Sequence, residues 1–267
     1  MMIKLIAADM DGTLLNSQKE LSPNLFPLLE ELKNRGILFA VASGRQYYNL
    51  TKEFAGVDGL SYISENGGMV FHQGNCIFTD EIPWEDLKRP VELIQKIPNA
   101  KPILCGVKSA YLSKLDASDP EVLRNAKMYY ERLKLVPDIL EAAKQDHICK
   151  IAIFDVTKAE QNTYPALQEL NRRFRVLLSG EQWVDVMNPE VNKGKALKAL
   201  MAAIQATPEE TMAFGDYLND YEMMQSCYYS YAMANAHPDL KAVSNFQAKS
   251  NDEDGVVKAI QQMLQKN

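Results

Sequence analysis

The run Ile3-Lys4-Leu5-Ile6-Ala7-Ala8-Asp9-Met10-Asp11-Gly12-Thr13 decides how this chain is read. Its first half is a short apolar stretch, the pattern of a strand buried on both faces. Its second half is a pair of carboxylates followed by a turn-forming glycine. In extended backbone, residues two apart face the same side, so Asp9 and Asp11 would project together. They would do so where a strand ends, the edge at which open parallel sheets place their ligands. One carboxylate can attack phosphorus while the other exchanges a proton with the leaving oxygen. Gly12 lets the chain turn sharply away, and successive backbone N–H groups there can cradle an anion. In isolation, an ordinary strand-to-turn Asp-Gly pair would have the same appearance.

Working outward, apolar strands alternate with amphipathic helices. Ser22-Pro23 predicts a helix N-cap and first residue, with Leu25, Leu28, Leu29 and Leu32 at helical spacing, and Gly36 after its end. Residues 37–42 (ILFAVA) predict a second buried strand, a helix follows from about Gln46, and Tyr62 starts a third strand. This alternation means a parallel sheet covered on both faces. After Pro83 the pattern changes. A helix leads to adjacent strands at 103–107 and 110–115, a helix runs from Asp119-Pro120 to about Lys134, and a short helix covers 139–144. A strand at 148–155, a helix at 159–173 and strands at 176–179 and 183–187 follow, and Asn188-Pro189 marks a turn. From Lys193 the helix–strand rhythm returns, through a strand at 211–214, a helix from Asp220, a strand at 229–233 and a helix at 255–265. The expected fold class is therefore α/β: a Rossmann-like parallel-sheet core, residues 1–82 and 188–267, with an α+β domain inserted at 83–187.

With 267 residues the chain can form two domains, and its 46% apolar and 24% charged composition is that of a globular protein. No apolar run reaches the ~20 residues of a membrane span, and the apolar start is cut short at Asp9, so no membrane association and a cytoplasmic location are expected. Cys76, Cys105, Cys149 and Cys227 lie far apart, and His72, His147 and His237 fit no metal motif, which argues for reduced thiols and against zinc. A net charge of −6 argues against nucleic acid as a partner.

Three further signals accompany the first. Gly215-Asp216 and Asn219-Asp220 follow a short apolar strand, so their carboxylates could reach the edge occupied by Asp9. Carboxylates, carbonyls and water suit magnesium, although acidic residues also cap helix N-termini. Ser43-Gly44-Arg45 follows the second strand, where a hydroxyl and a glycine N–H can contact phosphate. Lys193 opens a helix and could neutralise a phosphoryl group, with Lys195 as its rival.

Together, in this order, these four segments resemble the haloacid dehalogenase superfamily of aspartate-nucleophile phosphatases. Asp9 to Thr13 is similar to the first motif, Ser43 to the second, Lys193 to the third, and Gly215 to Asp220 to the fourth. The large α+β insert between the second and third motifs, and Ser64-Glu65-Asn66-Gly67-Gly68 after the third strand, resemble the Cof-like branch with its C2-type cap. Val41 to Gly44 with Gln46-Tyr47-Tyr48, and Cys105-Gly106 with Ser109-Ala110-Tyr111, resemble bacterial sugar phosphatases of that branch. The resemblance implies Asp9 as nucleophile and magnesium ligand, and Asp11 as general acid and base with its carbonyl on the metal. Asp216 would complete the ligands, and Ser43, Lys193 and Asn219 would hold phosphoryl oxygens, helped by the N–H groups of Met10 and Gly44. Thr13, Arg45 and Asp220 are implied as accessory. Tyr217 is bulkier than the residues common at its place in the fourth motif. The implied substrate is a small sugar phosphate. A phosphomutase and a non-catalytic phosphometabolite-binding protein are the alternatives.

Overall fold

The computed structural model describes residues 3–266 and divides them into two compact units. The first combines the residues up to Phe78 with those from Asn192 onward, and the second is Thr79–Val191. The expected insert, 83–187, is thus extended at both ends. Asn188 explains the extension, since its side-chain amide donates to the Asp80 carboxylate and to the Glu81 carbonyl, both at 2.8 Å. These bonds tie the outgoing and returning chains together within the insert.

The first unit begins with β1 (Leu5–Asp9), β2 (Leu38–Ala42), β3 (Ser61–Ser64), β4 (Met69–His72) and β5 (Asn75–Thr79), whose last residue is the first of the second unit. Within the second unit lie β6 (Ala100–Gly106), β7 (Ala110–Ser113), β8 (Leu133–Val136), β9 (Ile148–Asp155), β10 (Arg175–Gly180) and β11 (Trp183–Met187). The chain then returns to add β12 (Thr211–Gly215), β13 (Tyr229–Ala232) and β14 (Phe246–Gln247). Among the described residues the first sheet runs β14-β13-β12-β1-β2-β3-β4-β5. It is parallel from β14 to β3, and β4 turns back antiparallel. Every residue of β1, β3 and β12 is buried, so both faces of the sheet centre are covered. The architecture is the expected parallel α/β core carrying an α+β insert.

The β4–β5 hairpin was not expected from the apolar pattern. Its two-residue turn, Gln73-Gly74, has φ values of 51° and 77°, the left-handed pair that matches the twist of a tight hairpin. The apolar pattern also predicts neither strand β14 nor the Pro238–Val243 helix.

The insert's sheet runs β10-β11-β9-β6-β7-β8 and is antiparallel except between β7 and β8. Neighbours along one strand enter different apolar clusters. Leu104, Ile151 and Ile153 join one, and Ile103, Cys105, Ala152 and Phe154 the other.

Three helix expectations are corrected. The first helix is Leu25–Asn34, with Pro23 in a preceding turn closed by Leu25 N–H on the Ser22 carbonyl (3.0 Å). The helix from Pro120 stops at Tyr129, because Leu133–Val136 finds its backbone partners on β7 instead. The expected helix at 159–173 is split into Thr163–Ala166 and a 3₁₀ segment, Gln168–Arg172. Its start is held by Asp155, whose carboxylate accepts from the backbone N–H of Thr163 (3.2 Å), the Thr163 hydroxyl (2.5 Å) and the Asn162 amide (2.9 Å). Among the described residues, no helix is long and apolar enough to cross a membrane.

Candidate active site

Strand β1 lies between β12 and β2, where the strand order reverses, and the C-terminal ends of such strands are where α/β sheets gather their ligands. Asp9 is the last residue of β1 and registers with Ala42, so Ser43 follows at the same edge. Ala8 registers with Phe214, which brings Gly215 and then Asp216 to the other side. Three sequence-distant motifs meet because three parallel strands stop in register.

At the centre is Lys193, wholly buried at the first residue of the Lys193–Ile204 helix. A cation at a helix N-terminus opposes the helix dipole, so the placement must be compensated nearby. The compensation is two carboxylates: the Lys193 ammonium donates to Asp9 Oδ1 at 2.5 Å and to Asp220 Oδ1 at 2.6 Å. The rival, Lys195, instead places its ammonium 6.0 Å from the Phe78 ring. Asp220 also accepts from the backbone N–H of Asp216 at 3.0 Å, which folds the Gly215–Asp220 loop around its own carboxylate. Gly215 permits this, since a Cβ there would stand 2.6 Å from Asp220 Oδ2.

Asp9, Asp216 and Asp220 place carboxylate oxygens within 4.8 Å of one another. Three carboxylates around one ammonium leave negative charge in excess. Burial pushes the Asp9 carboxyl well up, with Asp220 and Asp216 adding to the rise against the pull of Lys193. Burial and Asp220 likewise push Asp216 up to about 6. Burial alone would lower Lys193, but Asp220 and Asp9 outweigh it and hold the ammonium charged. A largely buried, oxygen-only donor set with surplus charge fits a hard divalent cation such as magnesium. Thr13 donates to Asp216 Oδ1 at 3.1 Å and orients this carboxylate. Gly12, at φ 82°, leaves the room it needs, because a Cβ there would lie 2.3 Å from Asp216 Oδ2.

Asp11 is not part of this carboxylate cluster. Its half-exposed carboxylate faces Arg45, which donates through Nε (3.1 Å) and Nη2 (2.9 Å), and Lys19, which donates at 3.1 Å. Partial burial alone would raise its pKa, but these two cations outweigh it and hold Asp11 below the usual carboxylate range. Met10 is fully buried, and its carbonyl accepts from Leu14 (3.0 Å) and Leu15 (2.8 Å), which curls the chain after β1 into a compact loop.

Ser43 is buried, with its hydroxyl accepting from the Arg45 N–H at 3.2 Å. Gly44 abuts Asn66, where a Cβ would stand 2.9 Å from the side-chain nitrogen. Asn219 is exposed and donates to Asn66 Oδ1 at 3.2 Å. Sequence reasoning gave Asn66 and Lys19 no place in the site and made Asp220 an accessory. The positions of Asn-Gly and of Asp220 within their motifs were the available signals.

A family model described as haloacid dehalogenase-like hydrolase matches residues 6–260. The chain is 34% identical to a protein of Escherichia coli K12 named 5-amino-6-(5-phospho-D-ribitylamino)uracil phosphatase YbjI, over 99% of this chain and 97% of that one. The crystal structure of SMU.1108c from Streptococcus mutans UA159 superposes with a TM-score of 0.78 at 32% identity, covering 98% of this chain and 99% of that one. BT1666 from Bacteroides thetaiotaomicron, described among phosphatases of the haloalkanoate superfamily, superposes with a TM-score of 0.76 at 25% identity over 98% and 95%. The chain belongs to the haloacid dehalogenase-like hydrolase family, in its Cof-like branch, and is a phosphoric monoester hydrolase.

Proposed function

We propose that the protein hydrolyses the phosphate ester of a sugar or sugar alcohol through a covalent aspartyl-phosphate on Asp9, with magnesium as cofactor. The observation that carries this reading is the Asp9 carboxylate at the end of β1, buried and 2.5 Å from the Lys193 ammonium. The E. coli relative's name specifies a phosphorylated ribityl group, which supports a polyol phosphate as the substrate class.

Asp9 attacks phosphorus, forming the Asp9–phosphate bond as the ester P–O bond breaks. Asp11 gives its proton to the departing alkoxide, and then takes one from the water that attacks phosphorus and frees Asp9. Protonated Asp11 must first leave its pairing with Arg45 and Lys19. Ser43, Lys193 and Asn219, with the N–H groups of Met10 and Gly44, hold the phosphoryl oxygens in line. Bound by Asp9, Asp216 and the Asp11 carbonyl, with Asp220 beside them, magnesium would neutralise charge that otherwise repels an anionic nucleophile.

The test is phosphate release from a panel of sugar and sugar-alcohol phosphates, with magnesium or with chelator. Release that requires magnesium and falls at least roughly 10³-fold in Asp9→Asn is the expected result. A well-folded, active Asp9→Asn variant would refute the nucleophile, and phosphate exchange on a sugar bisphosphate without net release would instead indicate a mutase.

A further inference from the structure

Immediately after β3 the chain enters a strained turn. Glu65, Asn66 and Gly67 have φ values of 51°, 56° and 98°, three consecutive residues in the left-handed region, two of them not glycine. For an L-residue with a Cβ that conformation costs about 1–2 kcal/mol, and it persists where the surroundings over-determine it.

The surroundings are the phosphate-handling segments of the site. The Glu65 N–H donates to the Arg45 carbonyl at 3.2 Å, and the Asn66 N–H to the Ser43 carbonyl at 3.0 Å. Gly67 lies so close to the start of the Lys193–Ile204 helix that a Cβ would stand 2.2 Å from the Asn192 carbonyl oxygen and 2.9 Å from the Lys193 nitrogen. Asn66 Oδ1 accepts from Asn219 Nδ2 at 3.2 Å, and its own amide nitrogen fills the space above Gly44. One turn therefore touches Ser43–Arg45, Asn192–Lys193 and Asn219, segments far apart in the sequence.

We propose that Asn66 is a positioning residue that orients the exposed Asn219 amide, and with it the phosphate-binding face of the site. Asn219 is exposed, so packing does not hold its rotamer. By accepting one N–H of Asn219, Asn66 selects the amide orientation in which the second N–H remains to donate to a phosphoryl oxygen. The backbone hydrogen bonds to Arg45 and Ser43 that hold the turn in this conformation keep the Asn66 side chain at the meeting point of these segments. This inference rests on the proposed role of Asn219 as a phosphoryl ligand.

The test compares Asn66→Gly, Asn219→Ala and the double variant. Glycine adopts the left-handed backbone without strain, so Asn66→Gly removes the amide while leaving the turn intact, and its melting temperature should not fall. The expected result is a KM, and an inhibition constant for inorganic phosphate, raised about threefold to tenfold, the equivalent of one net hydrogen bond. The double variant should then be no worse than Asn219→Ala alone. Asn66→Ser, whose hydroxyl ends one atom short of the Oδ1 position and so withdraws the acceptor from reach of Asn219, serves where the glycine variant does not fold. Unchanged phosphate inhibition in Asn66→Gly beside a weakened Asn219→Ala would overturn the inference alone, as would effects that multiply in the double variant. Unchanged inhibition in Asn219→Ala would overturn the ligand role, and the inference with it.

Discussion

Replacing Lys193 with methionine removes the single buried ammonium from among three carboxylates while roughly keeping its length. Its contacts to Asp9 and Asp220 are 2.5 Å and 2.6 Å. At an effective dielectric of about 20 each supplies about 6 kcal/mol of gross attraction. Mutual repulsion of the carboxylates and several kcal/mol of desolvation per ion consume much of that. The other limit is protonation. Left without the ammonium, a buried carboxylate can take a proton, which at pH 7 costs about 4 kcal/mol from the ordinary aspartate pKa. Removing one partner of a buried ion pair costs about 3–5 kcal/mol, consistent with that ceiling. Lys193→Met should therefore lose about 3–5 kcal/mol in chelator at pH 7, and its Tm should fall on the order of 10 °C. Measured against its own unfolded state, the folded variant takes up more protons on these carboxylates than the wild type does, so the gap should narrow as pH falls. The limiting slope is about 1.4 kcal/mol per pH unit for each extra proton. Urea denaturation followed by circular dichroism between about pH 5.5 and pH 7.5 measures both quantities. Adding Asp9→Asn should recover part of the loss. A loss below about 1 kcal/mol, or a gap that widens at lower pH, would refute the electrostatic account of the site.

Magnesium should stabilise the wild type by about 2.7 kcal/mol at a hundred times its Kd, an upward Tm shift of about 5–10 °C, and much less in Asp216→Asn. An unchanged wild-type melting curve, or an equal shift in the variant, would count against a metal on these carboxylates. In the insert, burial works to raise the Asp155 pKa, but hydrogen bonds from Thr157, Thr163 and Asn162 outweigh it and hold it below the ordinary value. A depressed folded-state pKa stabilises above the unfolded value near 3.9 and loses that contribution as pH falls through the lower folded value. Asp155→Ala should accordingly destabilise the protein by about 2–4 kcal/mol at pH 7 and by less under strong acid, as read from denaturation midpoints across pH. A difference that is the same at both pH values would refute this.

Local patterns were enough to expect a parallel α/β core. Strand burial is written in continuous apolar runs such as residues 5–8 and 38–42, and helix faces in leucines at helical spacing, because both follow from the period of the backbone itself. The acidic strand ends at Asp9 and Asp216 were legible for the same reason: each lies a fixed step beyond its run. Local patterns misled where long-range pairing competed with them. Residues 133–134 close a helical pattern but belong to a strand at the edge of a sheet, and Thr163 begins a helix because a carboxylate on another element captures its N–H.

The sequence by itself therefore determined which residue types stand at the ends of which strands, since that depends on neighbours along the chain. Only the tertiary structure decided their partners. It put Lys193, not Lys195, between Asp9 and Asp220, turned the Asp11 carboxylate towards Arg45 and Lys19, and brought Asn66 to Asn219. Those contacts join residues as far as 184 positions apart. Strand order, register and the direction of each side chain set them, and no local period encodes any of these.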